Sequence, residues 1–516
     1  MSWIMKNLLK ICLGWSLLLS PPSSGWCGVQ AWFVHSANKV LQDATPTETR
    51  KSWSLAAARG EVEACQLVLR SDRDLERVSI QVTPFRQRRT GASLHPELYR
   101  VHYIPDVLGK VPYPDPLVPL DRLSLESGKS QPVWISVRVP QTAPAGIYQS
   151  TIRLSAGGQV WTGNLQLKVW NFSLPETPSG VTAFGIDSAA IARQHQVEPD
   201  SAQAKTLYAR YYEMLLDHKV SAYALPVDIH SEAAIPYLKD PRMTSFMIPY
   251  PPEDEALKNL VKRLVQLDAF SKGYFYPLDE PVKEDQYKRL MEISERLRRC
   301  APGFRLVSPF FRNPDWGESQ TAYDLMIGRL NIWCPNSHFF DTEPKTRPTL
   351  EDRKALGEEV WWYVCCGPGK PYNNFFVDLS AMNHRLLFWQ QKRENVEGLL
   401  YWNTTWWNPD SLSDPWASMM TVKEINPDLR GDGSLFYPGK QVGIDGPVSS
   451  IRLEMIRDGL EDFDLLTLVE KKKGEDLVRE YTARLARSLT DFEEDPAVLE
   501  RTRREMAEWI NPISSH

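Results

Sequence analysis

Residues 255–300, EALKNLVKRLVQLDAFSKGYFYPLDEPVKEDQYKRLMEISERLRRC, read as a helix, a strand and a second helix. In the first sixteen residues Leu257, Leu260, Val261 and Leu264 recur at intervals of three and four, and Tyr287, Leu290, Ile293 and Leu297 repeat the pattern in the last seventeen. That spacing lays one apolar stripe along each helix. Between them GYFYPL is a short apolar run with no helical period, closed by Pro281. A buried strand between two amphipathic helices is the unit from which parallel sheets are built.

The same unit recurs on both sides. Short apolar runs at 181–187, 221–227, 305–310, 331–335, 360–365, 398–403 and 434–437 join 273–278 as expected strands, most of them separated by helix-length patterns. Eight strands, each followed by a helix, predict a (β/α)8 TIM-like barrel over 179–516, ending in the long helix IRLEMIRDGLEDFDLLTLVE. Upstream the period changes to two: Val133, Ile135, Val137 and Val139 alternate with other residues, and alternation returns in GIYQSTIRLS and QVWTGNLQLKVW. This predicts an antiparallel β-sandwich over 32–178, with the Pro-rich LPETP at 174–178 as the boundary.

The chain of 516 residues is 42% hydrophobic and 24% charged, an ordinary globular balance. Its net charge of −5, with no basic block beyond Lys471–Lys473, argues against nucleic acid as a partner. Lys6 and Lys10 precede or flank an apolar stretch at 11–19, and Val29-Gln30-Ala31 has the small-residue pattern of a cleavage site, so residues 1–31 read as a secretory signal peptide. The expected location is secreted or periplasmic, with no membrane span, because no run approaches the roughly 20 apolar residues a span needs. Five cysteines remain after the leader, an odd number, and the adjacent Cys365 and Cys366 read as buried thiols.

In such barrels chemistry is built at the carboxyl ends of the strands. One strand ends in Asp279-Glu280, two adjacent carboxylates that suit either acid–base work or the capping of the helix that follows. Eighteen tryptophans are unusually many. Trp333 lies on one strand, Trp361, Trp362 and Tyr363 on another, and Tyr401, Trp402 and Asn403 close a third. Aromatic walls around two carboxylates suit a sugar ring. His338 is the only histidine placed near a strand end; no metal-ligand spacing, phosphate loop or nucleophile elbow is present, and no cofactor or metal is expected.

Taken in order, YFYPLDEP, NIWCP, VWWYVCCGP, GLLYWNTTWW, GDGSLFYPG and SSIRLEMIRDGLEDFDLL resemble the catalytic domain of glycoside hydrolase family 123. AAARGEVEACQLVL, PDPLVPL and QPVWISVRVPQTAPAGIY resemble the β-sandwich that precedes it. The resemblance implies a retaining β-N-acetylgalactosaminidase acting on glycans or glycolipids, in which the substrate's own 2-acetamido group is the nucleophile. It implies Glu280 as general acid/base and Asp279 as the group that orients the acetamide. Trp402, then Trp362, would form the slot for the acetamido methyl, Tyr363 or Tyr401 would hold its oxygen, and Asn403 and His338 would meet sugar hydroxyls. Arg452, Arg457, Asp458 and Asp462 are expected to form ion pairs within the fold. The residues alone leave open a glycosidase for a sugar without an acetamido group, and a binding protein without catalysis.

Overall fold

The computed structural model describes residues 28–46, 50–105, 111–315, 321–407, 416 and 431–511. The expected leader lies outside them apart from its last four residues. Of these, Val29, Gln30 and Ala31 begin the strand Val29–His35 and pair with Ser71, Arg70 and Leu69.

Two sheets face each other in the amino-terminal part. One runs Ser52–Arg59, Gln159–Ser173, Gly146–Ala156, Phe85–Gln87, Ser93–Leu94, with Val78–Val82 also against Gly146–Ala156. Burial alternates strictly along Gly146–Ala156, as the period of two predicts, and Tyr148, Ile152 and Leu154 enter the core between the sheets with Leu67, Ile135 and Leu165. The other sheet runs Val29–His35, Val62–Ser71, Ser130–Arg138, Pro96–Ile104, Tyr113–Pro119, Pro447–Ser450, Tyr437–Pro438. Its last two strands come from the far end of the sequence. Ser449 and Ser450 pair with Leu117 and Pro116, so one sheet belongs to both halves of the chain.

The carboxy-terminal half carries the parallel strands. Val181–Phe184 pairs with Gly398–Tyr401, that strand with Glu359–Val364, and that with Ile332–Trp333. Single parallel bridges continue the series, Val307 with Ile332 and Phe275 with Leu306, and Phe246–Met247 pairs with Gly273–Tyr274. Met247 N donates to Tyr223 O at 2.8 Å, and Ala222 bridges Phe184, which returns the series to its first strand. The eight positions give the mixed α/β, TIM-like arrangement read from the sequence, with one exchange. Residues 434–437, expected as the eighth strand, do not join it; Tyr437–Pro438 pairs antiparallel with Pro447–Ser450 in the sandwich sheet. The eighth position is filled by Phe246–Met247, whose two residues are too few to show any period.

Helices Asp254–Gln266 and Glu284–Cys300 form where the stripes predict them, burying Leu257, Leu260, Val261 and Leu264, and Tyr287, Leu290, Ile293 and Leu297. Helix Ile451–Lys473 differs: residues from Ile451 to Leu466 are buried all round, because it lies between the barrel strands and the sandwich together with Ala381–Arg393. The charged residues of that stretch are therefore inside, and they are paired, as buried charge requires. Arg385 donates to Asp462 at 2.6 Å, Arg457 to Asp458 at 2.7 Å, and Arg452 to Asp115 of the sandwich at 2.9 Å. Arg503 reaches two more sandwich carboxylates, Glu61 at 2.8 Å and Glu63 at 2.6 Å. The expected ion-pair role of Arg452, Arg457, Asp458 and Asp462 is what the fold shows.

Candidate active site

Strand Gly273–Tyr274 delivers Tyr276, Pro277, Leu278, Asp279 and Glu280 to one end of the barrel. Ser308 Oγ donates to Leu278 O at 2.9 Å and fixes the turn. Glu280 has φ 40°, a left-handed backbone that a Cβ disfavours, and such strain collects at functional sites. The two carboxylates do not cap the next helix, whose entry is instead bonded by Gln286 Oε1, an acceptor for Val282 N and Lys283 N at 2.9 Å each.

Adjacent in sequence, Asp279 and Glu280 have different surroundings. Asp279 is exposed and accepts from Tyr276 Oη at 2.6 Å. Glu280 is half-buried and accepts from the hydroxyl of Tyr363, which comes from strand Glu359–Val364. Burial pushes the Glu280 carboxyl above its ordinary value, the Tyr363 hydrogen bond pulls it back, and the charge of Asp279 raises it again. A carboxyl poised in this way can hold a proton and release it. The Tyr223 hydroxyl, buried and without a partner among the described residues, is close enough to feel the Asp279 charge, and its ring meets Tyr276 edge-on at 6.0 Å.

Glu280 opens into a cleft of about 490 Å³ lined also by Phe311, Asn336, His338, Cys366 and Tyr372. His338 belongs here, as expected, with Nδ1 hydrogen-bonded to Asn336 Oδ1 at 2.7 Å; burial lowers its pKa and favours the neutral ring. Cys366 is exposed and Cys365 half-buried, so the pair is not the closed-in thiols the sequence suggested.

A second cluster surrounds Asp432, which the sequence reading did not single out. Its carboxylate accepts from Trp402 Nε1 and from Tyr401 Oη, both at 3.1 Å, and burial pushes its pKa up to about 6. Glycines on both sides, Gly431 at φ 75° and Gly433 at φ 73°, make the turn, and a Cβ at Gly433 would come within 2.4 Å of the Trp402 ring. Arg452 pins this turn by donating to Gly431 O at 2.8 Å while its Nε holds Asp115. The charges of Asp432 and Glu280 both push the Cys366 thiol up, against the Cys365 hydrogen bond that lowers it. A lone Asp between glycines in a loop has no periodicity to mark it; the GDG triplet was the only signal.

Other expected contacts stand elsewhere. Strand parity sends Trp361 and Tyr363 into the barrel interior, with Tyr274, Val307 and Leu400, and sends Trp362 outward, where it is fully buried edge-on to Phe340 at 5.6 Å. Trp333 is also in the outer layer, stacked on Tyr323 at 5.9 Å, with Nε1 donating to Glu358 at 2.6 Å. Tyr401 is fully buried between Phe184 and Phe375 and reaches the site only through Asp432. Asn403 Oδ1 accepts from Thr404 N at 2.8 Å and Thr405 N at 3.0 Å and so shapes the turn after its strand. Trp402 alone of the expected tryptophans remains half-buried at this end, 5.4 Å from Trp406.

Comparison with solved structures gives most of the chain a counterpart. A family 123 glycoside hydrolase from Clostridium perfringens, described in terms of glycolipid glycan hydrolysis, is 16% identical and superposes with a TM-score of 0.71 over 94% of this chain and 98% of its own. The β-glucuronidase of Parabacteroides merdae (9% identical, 78% of this chain, 51% of that one, TM-score 0.29) and β-glucuronidase 3 of Bacteroides uniformis (9%, 84%, 52%, 0.30) align far more loosely. No curated protein matches the sequence. The model of the glycoside hydrolase 123 N-terminal domain matches residues 102–156. With the model of the glycoside hydrolase 123 catalytic domain matching residues 211–469, across Asp279, Glu280, Trp402 and Asp432, the chain belongs to glycoside hydrolase family 123.

Proposed function

We propose that this glycoside hydrolase removes a terminal β-linked N-acetylgalactosamine, or a related 2-acetamido sugar, from a glycan such as that of a glycolipid, with retention of configuration. The observation that carries the reading is the division of labour between two neighbouring carboxylates: Glu280 half-buried with its pKa raised, Asp279 exposed and tied to Tyr276. Glu280 protonates the leaving oxygen while the carbonyl oxygen of the acetamido group attacks the anomeric carbon, so the protein supplies no nucleophile. Asp279 accepts the acetamido N–H and balances the positive charge that grows on the group. Water then opens the cyclic intermediate as Glu280 takes back a proton. Trp402, held by Asp432, walls the apolar side of the sugar. Lys6, Lys10 and the apolar stretch at 11–19 support export of the enzyme, secreted or periplasmic.

Hydrolysis of an aryl β-N-acetylgalactosaminide, its gluco epimer and the plain β-galactoside separates the readings. Turnover confined to acetamido sugars, with the β-anomer released first and with Glu280→Gln and Asp279→Asn each losing activity, is the expected result. Turnover of the plain galactoside at a comparable rate would overturn substrate assistance, and sugar binding without turnover would overturn the enzyme reading.

A further inference from the structure

Strand Glu359–Val364 runs out into two adjacent cysteines in the wall of the Glu280 cleft, and nothing in the mechanism above uses them. Their Sγ atoms are 3.7 Å apart. Cys65, Cys300 and Cys334 are each buried, whereas Cys366 is exposed and Cys365 half-buried. The backbone around the pair is held on both sides: Cys365 N donates to Gly367 O at 2.9 Å, and Asn374 Nδ2 donates to Cys365 O at 2.9 Å. A disulfide needs about 2.05 Å between sulfurs and usually at least about 4.4 Å between Cα atoms, against about 3.8 Å for neighbours. Closure therefore asks for a movement of the Cys366 side chain and a twist of the peptide that joins the pair.

We propose that Cys365 and Cys366 are a covalent modification site, a dithiol that a small disulfide oxidant closes to a vicinal disulfide, changing the shape of the cleft beside Glu280. The exposed Cys366 is the attacking thiolate; the S–H of Cys365 hydrogen-bonds to it and lowers its pKa, while the same bond and burial raise that of Cys365. Cys366 displaces one thiolate from the oxidant R–S–S–R and forms a mixed disulfide. Cys365, giving up its proton, attacks the Cys366 sulfur and displaces the second thiolate. The pair loses two electrons and two protons, and the oxidant leaves as two R–SH. A ring closed between adjacent residues is strained, so reductant reopens it readily. Closure draws the exposed sulfur in toward Cys365, and the wall facing the sugar changes with it.

The test takes the full chain, reduced and desalted, then treated with oxidised glutathione. The expected result is the loss of two hydrogens in intact mass and of two titratable thiols, mapped to the peptide holding residues 365–366 and reversed by dithiothreitol. This arm is independent of which sugar the enzyme accepts. A second arm rests on the proposed function: KM for the glycoside that is turned over differs at least about threefold between the two forms, and this response disappears in Cys366→Ser. Glutathione retained as an adduct on Cys366, oxidation at other cysteines, or a disulfide that leaves KM unchanged would each overturn the proposal. Failure of the acetamido reading would show as wrong sugar preference in the reduced form, before any oxidant is added.

Discussion

Replacing Asp115 by Asn tests whether the sandwich holds the turn that carries Asp432. Asp115 is fully buried. Its Oδ2 accepts from Arg452 Nε at 2.9 Å and from Tyr437 Oη at 2.6 Å, and its Oδ1 from Arg452 N at 3.3 Å. The amide keeps the shape but removes the charge, and it turns an N–H₂ toward at least one of these donors. Arg452 keeps its bonds to Gly431 O and Phe375 O and so stays inside, now as a guanidinium without a carboxylate. Breaking a buried pair in this way costs about 3–5 kcal/mol, whereas removing both charges costs far less. Equilibrium urea unfolding, followed by tryptophan fluorescence and far-UV circular dichroism together, measures the loss for Asp115→Asn, Arg452→Met and the double variant. The double variant should lose less than the two single variants added together. The turn that carries Asp432 should also loosen, so kcat/KM falls in Asp115→Asn although the substitution is in the sandwich. A loss below about 1 kcal/mol, or strict additivity in the double variant, would refute the reasoning.

Glu280 should set the alkaline limb of kcat/KM above the ordinary carboxylate range, because the acid must be protonated in the free enzyme. Tyr363→Phe removes a bond that favours the carboxylate, so the limb moves to higher pH; Asp279→Asn removes a charge that disfavours it, so the limb of the residual activity moves to lower pH, and a limb unmoved in both variants would remove Glu280 from the acid's role. Trp362→Ala should destabilise the fold by about 3–5 kcal/mol while leaving KM of the folded enzyme unchanged, and Trp402→Ala should raise KM at least about tenfold, both read from unfolding curves and steady-state kinetics on the same preparations.

Reading the sequence recovered the parts of the molecule that carry a period. The stripes of 254–266 and 284–300 and the alternation of 146–156 survive into the structure because burial enforces them over several turns or pairs. Phe246–Met247 and Tyr437–Pro438 have two residues each, and which sheet they join is decided by distant partners. Asp279 and Glu280 were visible because a strand, two acids and a proline fall in succession. The tryptophans divide on parity: once Tyr363 turns toward Glu280, its neighbour Trp362 must face the other way, which composition cannot express but alternation can. Asp432 escaped because its burial comes from Trp402, Tyr401 and Arg452, all remote from its own turn in sequence or brought to it by the fold.

The sheet that begins with Val29–His35 and ends with Tyr437–Pro438 makes the two halves of this chain inseparable in a practical sense. A cut at the proline-rich junction near residue 178 would look natural to anyone dividing the sequence for expression. It would strip Tyr113–Pro119 from Pro447–Ser450 and leave each fragment with a raw strand edge, the kind that recruits other chains into aggregates. It would also take Asp115 from Arg452, and Glu61 and Glu63 from Arg503, which would keep only the carboxylates of its own half, Asp462 and Glu500. Exchange of modules between relatives meets the same obstacle, so the two halves can be expected to vary together as one inherited unit.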